Sequence, residues 1–176
     1  MWERIEKCGK CVLWVLVFIV FLEKFVFGFS IVQGNSMNPT LKNNDRLFVN
    51  KIAYFFKEPC YGDIIIFHPP IPGRKNELFI KRIIAQPGDR FRIEDGNVYI
   101  NDEKIEENYI YPEEYQEKRY VITSGKVPPD MVFVMGDNRN DSNDSRCFGF
   151  VPKESIKGKV DLRIWPFDAW EAFLQK

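Results

Sequence analysis

The chain has 176 residues, 25 basic and 25 acidic side chains, and a single histidine. Balanced charge excludes a general nucleic-acid binder, which needs a basic excess. One imidazole, His68, excludes any metal site built on two or three histidines and leaves a Ser-His-Asp triad only one base. His68 ends the strand-like run Ile66-Phe67-His68-Pro69-Pro70 and reads as a structural or solvated ring.

Residues 1–10 carry Arg4, Lys7 and Lys10 against Glu3 and Glu6, and the apolar run Val12–Leu22 follows. That run is shorter than the roughly 20 residues of a relaxed membrane span. A helix over about 5–24 crosses a bilayer if its ends snorkel or the bilayer thins. A cleavable signal peptide would share the basic start, but no Ala-x-Ala site follows. A buried soluble helix would need a large surrounding core, because the run is apolar on all sides. The reading adopted is an uncleaved signal anchor in a plasma membrane. Residues 1–10 form a cytoplasmic N-terminus and 11–29 the transmembrane anchor. Residues 30–176 form an extracytoplasmic β domain, with a hairpin and insertion around 90–130. The basic residues set that orientation. Phe25 to Val32 then reads as a strand leaving the bilayer surface.

The remainder is mainly β. Strands are expected at Arg46–Asn50, Ile64–Phe67, Leu78–Ala85 and Met131–Met135. Phe91–Glu94 and Val98–Ile100 flank Asp95-Gly96-Asn97, a hairpin signal. Residues 103–120 are polar and acidic and read as an exposed excursion. The one candidate amphipathic helix in the body is Phe167–Gln175. Tyr54-Phe55-Phe56 and Trp165-Pro166-Phe167 belong either to a lipid interface or to the core. Cys8 and Cys11 form a lone Cys-x-x-Cys, a weak metal or redox signal. Cys60 and Cys147 lie in the body, where a disulfide would require closely approaching Cα atoms.

Three strings bear chemistry. Gly34-Asn35-Ser36-Met37-Asn38-Pro39-Thr40-Leu41 holds a hydroxyl in a Gly/Asn/Pro turn just after the anchor. Phe79-Ile80-Lys81-Arg82-Ile83-Ile84 places Lys81 on one strand face with Phe79 and Ile83. A lysine base must be neutral: at a reference pKa of about 10.4 only ~0.4% is free at about pH 8, and a drop of about two units raises this to roughly a quarter. Burial among apolar side chains supplies such a drop. Arg82, on the opposite face with Ile80 and Ile84, cannot be the base, because guanidinium stays charged. The third string, Gly136 to Gly149, is a dense polar loop. A calcium loop fits poorly, with Arg139 where an oxygen ligand is needed. A solvated turn and an ordered Asp–Arg network that aims the lysine both remain open.

Taken together and in order, these strings resemble the bacterial type I signal peptidases, membrane serine proteases with a Ser-Lys dyad. The resemblance rests on the anchor, GNSMNPTL at 34–41, GDIIIF at 62–67, KRIIAQPGD at 81–89 and GDNRNDSNDSRCFG at 136–149. It implies a largely β fold shared with self-cleaving repressors. It implies Ser36 as nucleophile, Lys81 as general base and Ser142 as a hydrogen-bonding partner of the lysine amine. Asp144, paired with Arg146, would brace the loop. The Ser36 N–H would donate to the oxyanion. Where some members carry a second, hydroxyl donor, this chain has Gly34, so backbone groups or water would serve. The implied reaction removes signal peptides from exported preproteins through an acyl-enzyme, without metal or cofactor. Small substrate residues at −1 and −3 would enter shallow apolar pockets lined by Met37 and strand residues near Ile80. The alternative is a processing peptidase of narrow substrate range from the same family, of conjugation or organellar type. A self-cleaving repressor would need a DNA-binding domain where the apolar segment stands. A non-catalytic tethered β domain would not need an intact dyad.

Overall fold

An N-terminal helix leads directly into a large antiparallel sheet. The computed structural model describes residues 2–110, 116, 120–166 and 171–172, the side chains of 2–8 and 171–172 excepted. Helix α1 (Trp2–Phe25) ends one residue before strand β1 (Phe27–Ile31). The segment 11–29 is therefore helix to Phe25 and strand from Phe27, because β1 pairs with β2 (Arg46–Asn50), Phe29 opposite Phe48. Among the described residues no helix is long and apolar enough to cross a membrane. Lys10, Glu23 and Lys24 bracket the apolar run. Val12 to Phe21 are nonetheless all at least half exposed.

The large sheet continues through β11 (Ile156–Trp165), β3 (Ile64–Phe67), β4 (Phe79–Ala85), β9 (Met131–Met135) and β10 (Val151–Pro152). β3 is buried along its whole length, which is why its sequence is a continuous apolar run without alternation. A second sheet is ordered β7 (Glu103–Lys104), β6 (Asn97–Ile100), β5 (Arg90–Glu94) and β8 (Ser124–Lys126). The β5–β6 hairpin turns through Asp95 and Gly96, both at positive φ, as a two-residue primed turn requires. Phe91 of the second sheet stacks on Phe133 of the first, 4.1 Å between ring centres.

On one face of the large sheet Met37, Leu41, Leu47, Ile64, Ile66 and Val160 form a core. On the other, Ile65, Phe67, Ile83, Val132 and Val134 form a second. All the expected strands are present. The longest strand, β11, went unanticipated, although Lys157, Lys159, Asp161 and Arg163 alternate there with Gly158, Val160, Leu162 and Ile164. That is the period-2 pattern of a half-buried strand.

Two expectations need correction. Glu171–Ala172 form strand β12, paired with Arg163 and Leu162, so a helix does not run through 167–175. The free side of β11 supplies the ladder that displaces it. The rest of that segment lies outside the described residues. The 103–120 excursion is not simply exposed. Its start pairs as β7, and Ile105 and Tyr109 pack against the core under the second sheet. Residues 111–115 and 117–119 lie outside the described residues. Cys11, Cys60 and Cys147 are free thiols.

Candidate active site

Ser36 lies in the turn that follows β1. Two apolar plugs, Met37 and Leu41, are sunk in the core on its C-terminal side and hold the turn down. The turn is closed at its base by Val32 N–H to Asp45 O and Asn44 N–H to Val32 O, each 2.9 Å. Gly34, at φ +92°, takes a conformation open to glycine and donates its N–H to Asn43 Oδ1 at 3.0 Å. Among the described residues the Ser36 N–H is bonded to no acceptor.

Lys81 projects from β4 on the face of Phe79 and Ile83, as the alternation predicts. Its side chain is buried, with 4% of the residue exposed. Nζ lies 2.6 Å from Ser36 Oγ and donates to Ile80 O at 2.9 Å. Burial lowers the amine to about 8. The Asp144 and Asp137 carboxylates pull it upward, but each is already paired with an arginine, and Arg146 opposes them. Desolvation therefore wins.

The 136–149 loop is an ordered network. Asp144 caps the short helix α2 (Ser145–Phe148) by accepting from Arg146 N–H. Its carboxylate also receives Arg146 Nε and Nη2, each at 2.8 Å, and Gly136 N–H at 3.0 Å. Both side chains of the pair are fully buried. Burial disfavours the Asp144 carboxylate, yet the Arg146 guanidinium holds its pKa below the usual range. The loop meets the serine turn through Asn138 N–H, which donates to Ser36 O at 3.0 Å.

Ser142 departs from expectation. Its buried hydroxyl makes no bond to the Lys81 amine and faces the Asp144 carboxylate instead, which it helps to hold below the usual range. The hydroxyl is close to the dyad all the same. Ser142 Oγ and Ser36 O lie 2.3 and 2.4 Å from the point where a Cβ on Gly136 would stand. Glycine is required at 136 because both turns converge there.

Two further arginine–carboxylate pairs escaped the sequence reading. Arg82 forks onto Asp137, Nε to Oδ1 at 2.9 Å and Nη2 to Oδ2 at 2.7 Å. The same carboxylate accepts the Thr40 hydroxyl at 2.5 Å, tying the serine turn to the loop. Arg139 forks onto Glu107 and donates Nε to Gly136 O at 3.1 Å. A guanidinium between Ile80 and Ile84 was a legible signal, since such a charge must find a buried partner.

An open cleft of about 690 Å³ runs between the end of β1 and the start of β4, with Ser36 and Lys81 in its wall. Met37 and Ile80 also line it, where the core of the large sheet reaches the surface. Phe79 to Lys81 pair with β3, but β9 pairs only from Arg82 onward. The first half of β4 thus presents a free backbone edge to the cleft. His68 is not part of this wall; its Nδ1 lies 2.9 Å from Glu77 O.

A desolvated lysine amine against a serine hydroxyl, in the wall of an open cleft on a β domain, defines a serine hydrolase of the serine–lysine class. Comparison with known proteins agrees. The model of the family "Signal peptidase, peptidase S26" matches residues 5–165. Signal peptidase I of Leptolyngbya laminosa is 43% identical over 93% of this chain and 79% of its own. A probable signal peptidase I-2 of Synechocystis sp. is 41% identical, over 91% of this chain and 73% of its own. Signal peptidase I of Bacillus caldolyticus is 39% identical, over 95% and 96%. The chain belongs to the signal peptidase family, peptidase S26.

Proposed function

We propose that this protein is a membrane-anchored serine endopeptidase that removes N-terminal signal peptides from exported preproteins. Ser36 is its nucleophile and Lys81 its general base. The observation that carries the reading is the 2.6 Å approach of a buried amine, lowered to about 8, to the serine hydroxyl.

Lys81, in its neutral form, takes the Ser36 proton as Oγ attacks the carbonyl of substrate residue −1. The oxyanion of the tetrahedral intermediate accepts from the Ser36 N–H, with backbone groups or water near Gly34 as the second donor. The Lys81 ammonium then returns its proton to the departing amine, and the mature protein leaves. Lys81 next deprotonates a water, which attacks the ester. The signal peptide departs and the serine recovers its proton.

The substrate lies extended between β1 and the free edge of β4, held by main-chain bonds. Met37 and Ile80 floor shallow apolar pockets that admit small residues at −1 and −3. Asp144 and Arg146 brace the loop. The Ser142 hydroxyl, buried beside Ser36 O and the Asp144 carboxylate, supports the same loop. The exposed apolar side chains from Val12 to Phe21 support an anchor in the plasma membrane, crossing once. The N-terminus is cytoplasmic and the catalytic domain extracytoplasmic.

Detergent-solubilised protein and a labelled preprotein test this. Ser36→Ala is expected to end cleavage, while His68→Ala stays within about twofold of wild type, as a ring outside the site should. Equal cleavage by wild type and Ser36→Ala would refute the assignment. Gly136→Ala is a second test. The added methyl must displace Ser36 O or Ser142 Oγ, and a displacement of about 1 Å costs on the order of a hundredfold in rate. A fall in kcat with an unchanged circular dichroism spectrum is the expected result.

A further inference from the structure

The junction between α1 and β1 is held by one residue that lies just beyond another strand. Only Val26 separates the helix from the strand, and a single residue contributes two soft dihedrals, enough for a hinge. Lys51, immediately after β2, closes it from both its backbone and its side chain. Its N–H donates to Val26 O at 2.9 Å. Its Nζ donates to Glu23 O at 2.8 Å and Lys24 O at 3.2 Å. Those carbonyls belong to the last turn of α1, which lacks partners within the helix and carries partial negative charge. Val26 N–H returns to Leu22 O at 2.8 Å and completes the cap.

Gly28 provides the slot. A Cβ there would stand 2.9 Å from Lys51 Cε and 3.2 Å from its Nζ. A side chain at position 28 would crowd the end of Lys51, which would have to shift to admit it. Phe27 packs on Phe48 at 5.5 Å, so the strands on either side of the joint are also clamped.

We propose that Lys51, seated over Gly28, is a positioning residue that locks the N-terminal helix to the sheet and so fixes the height of the cleft for membrane-held substrates. This rests on the proposed function, in which α1 lies in the bilayer. A substrate held by its own apolar segment presents its scissile bond at a set depth. A cleft swinging on a loose joint meets that bond less often, although its chemistry is intact. The lock therefore acts on delivery and leaves the dyad untouched.

The test uses the full chain in vesicles with two substrates, a soluble peptide spanning a cleavage site and a membrane-inserted preprotein. Lys51→Met should lower kcat/KM for the inserted preprotein about tenfold, the scale of a lost charged hydrogen bond, and leave the soluble peptide within about twofold. Lys51→Arg should restore cleavage of the preprotein. Equal losses on both substrates, or no loss on either, would overturn the proposal. A second readout is independent of cleavage. Spin labels at Cys11 and at Glu154→Cys, with Cys8, Cys60 and Cys147 replaced by serine, should give a narrow distance distribution that widens in Lys51→Met. An unchanged distribution overturns the lock. If the wild type cleaves neither substrate, the proposed function fails, and the distance measurement alone decides the lock.

Discussion

Replacing Lys81 with methionine will lower kcat/KM for preprotein cleavage by about a thousandfold or more, while the protein becomes more stable. The loss follows from removing the general base, a group worth roughly 10² to 10⁴ in rate. The gain follows from burial. Moving the amine from 10.5 to about 8 costs about 3 kcal/mol of folding free energy at neutral pH. Methionine has a similar length and no charge to desolvate, so the variant escapes this cost. The sign fixes the pH window. Below about 8 both folded and unfolded chains hold the proton, and the wild type bears the full cost. Between about 8 and 10.5 only the unfolded chain still holds it, so wild-type stability rises with pH. The advantage of the variant should therefore shrink through that window in denaturant titrations. The same titration governs rate. Wild-type activity should climb about twentyfold from pH 6.5 to 8.5 as the amine is freed, then level off. A lysine variant that cleaves normally, or a flat profile with chemistry rate-limiting, would remove Lys81 from its role.

The second large effect is on stability. Arg146→Met leaves the Asp144 carboxylate buried with no counter-charge, a change that costs about 3–5 kcal/mol. In a chain of this size that is a fall of roughly 10 °C or more in Tm, read by thermal unfolding in detergent. Cleavage should fall as well, because Gly136 N–H and the helix cap share the same carboxylate. Changing both partners, Asp144→Leu with Arg146→Met, should recover part of the stability and little of the activity. The pair contributes above the ordinary titration range of an aspartate. Its contribution is lost as pH drops through the depressed Asp144 value. A Tm unchanged by Arg146→Met would show that the network does not hold the loop.

The elements legible in the sequence were those with local signals. The Asp95-Gly96 hairpin needs two positive φ values at adjacent residues, and few other residue types supply them. The apolar neighbours of Lys81 on a period-2 strand foretold its burial. Ser36 in its turn and Lys81 on its strand are 45 positions apart, yet meet at 2.6 Å. Arg82 signalled that it needs a buried partner, but which carboxylates Arg82 and Arg139 find was not legible, because a long-range ion pair has no spacing rule. Ser142 shows the same limit. Its place in the loop was evident, but the direction of its hydroxyl depends on how closely Gly136 lets two turns approach. β11 was within reach, since its charges alternate strictly, but they disguised a central strand as a solvated tail.

The half of β4 that faces the cleft unpaired has one more consequence. Amide and carbonyl groups repeat identically along every polypeptide, so a ladder formed on them is blind to the identity of most side chains. Under the proposed function, selection falls to the small apolar pockets proposed at Met37 and Ile80, which would sort by size. Such an enzyme can serve a great many clients whose sequences share almost nothing, provided each arrives extended and slender at the point of scission.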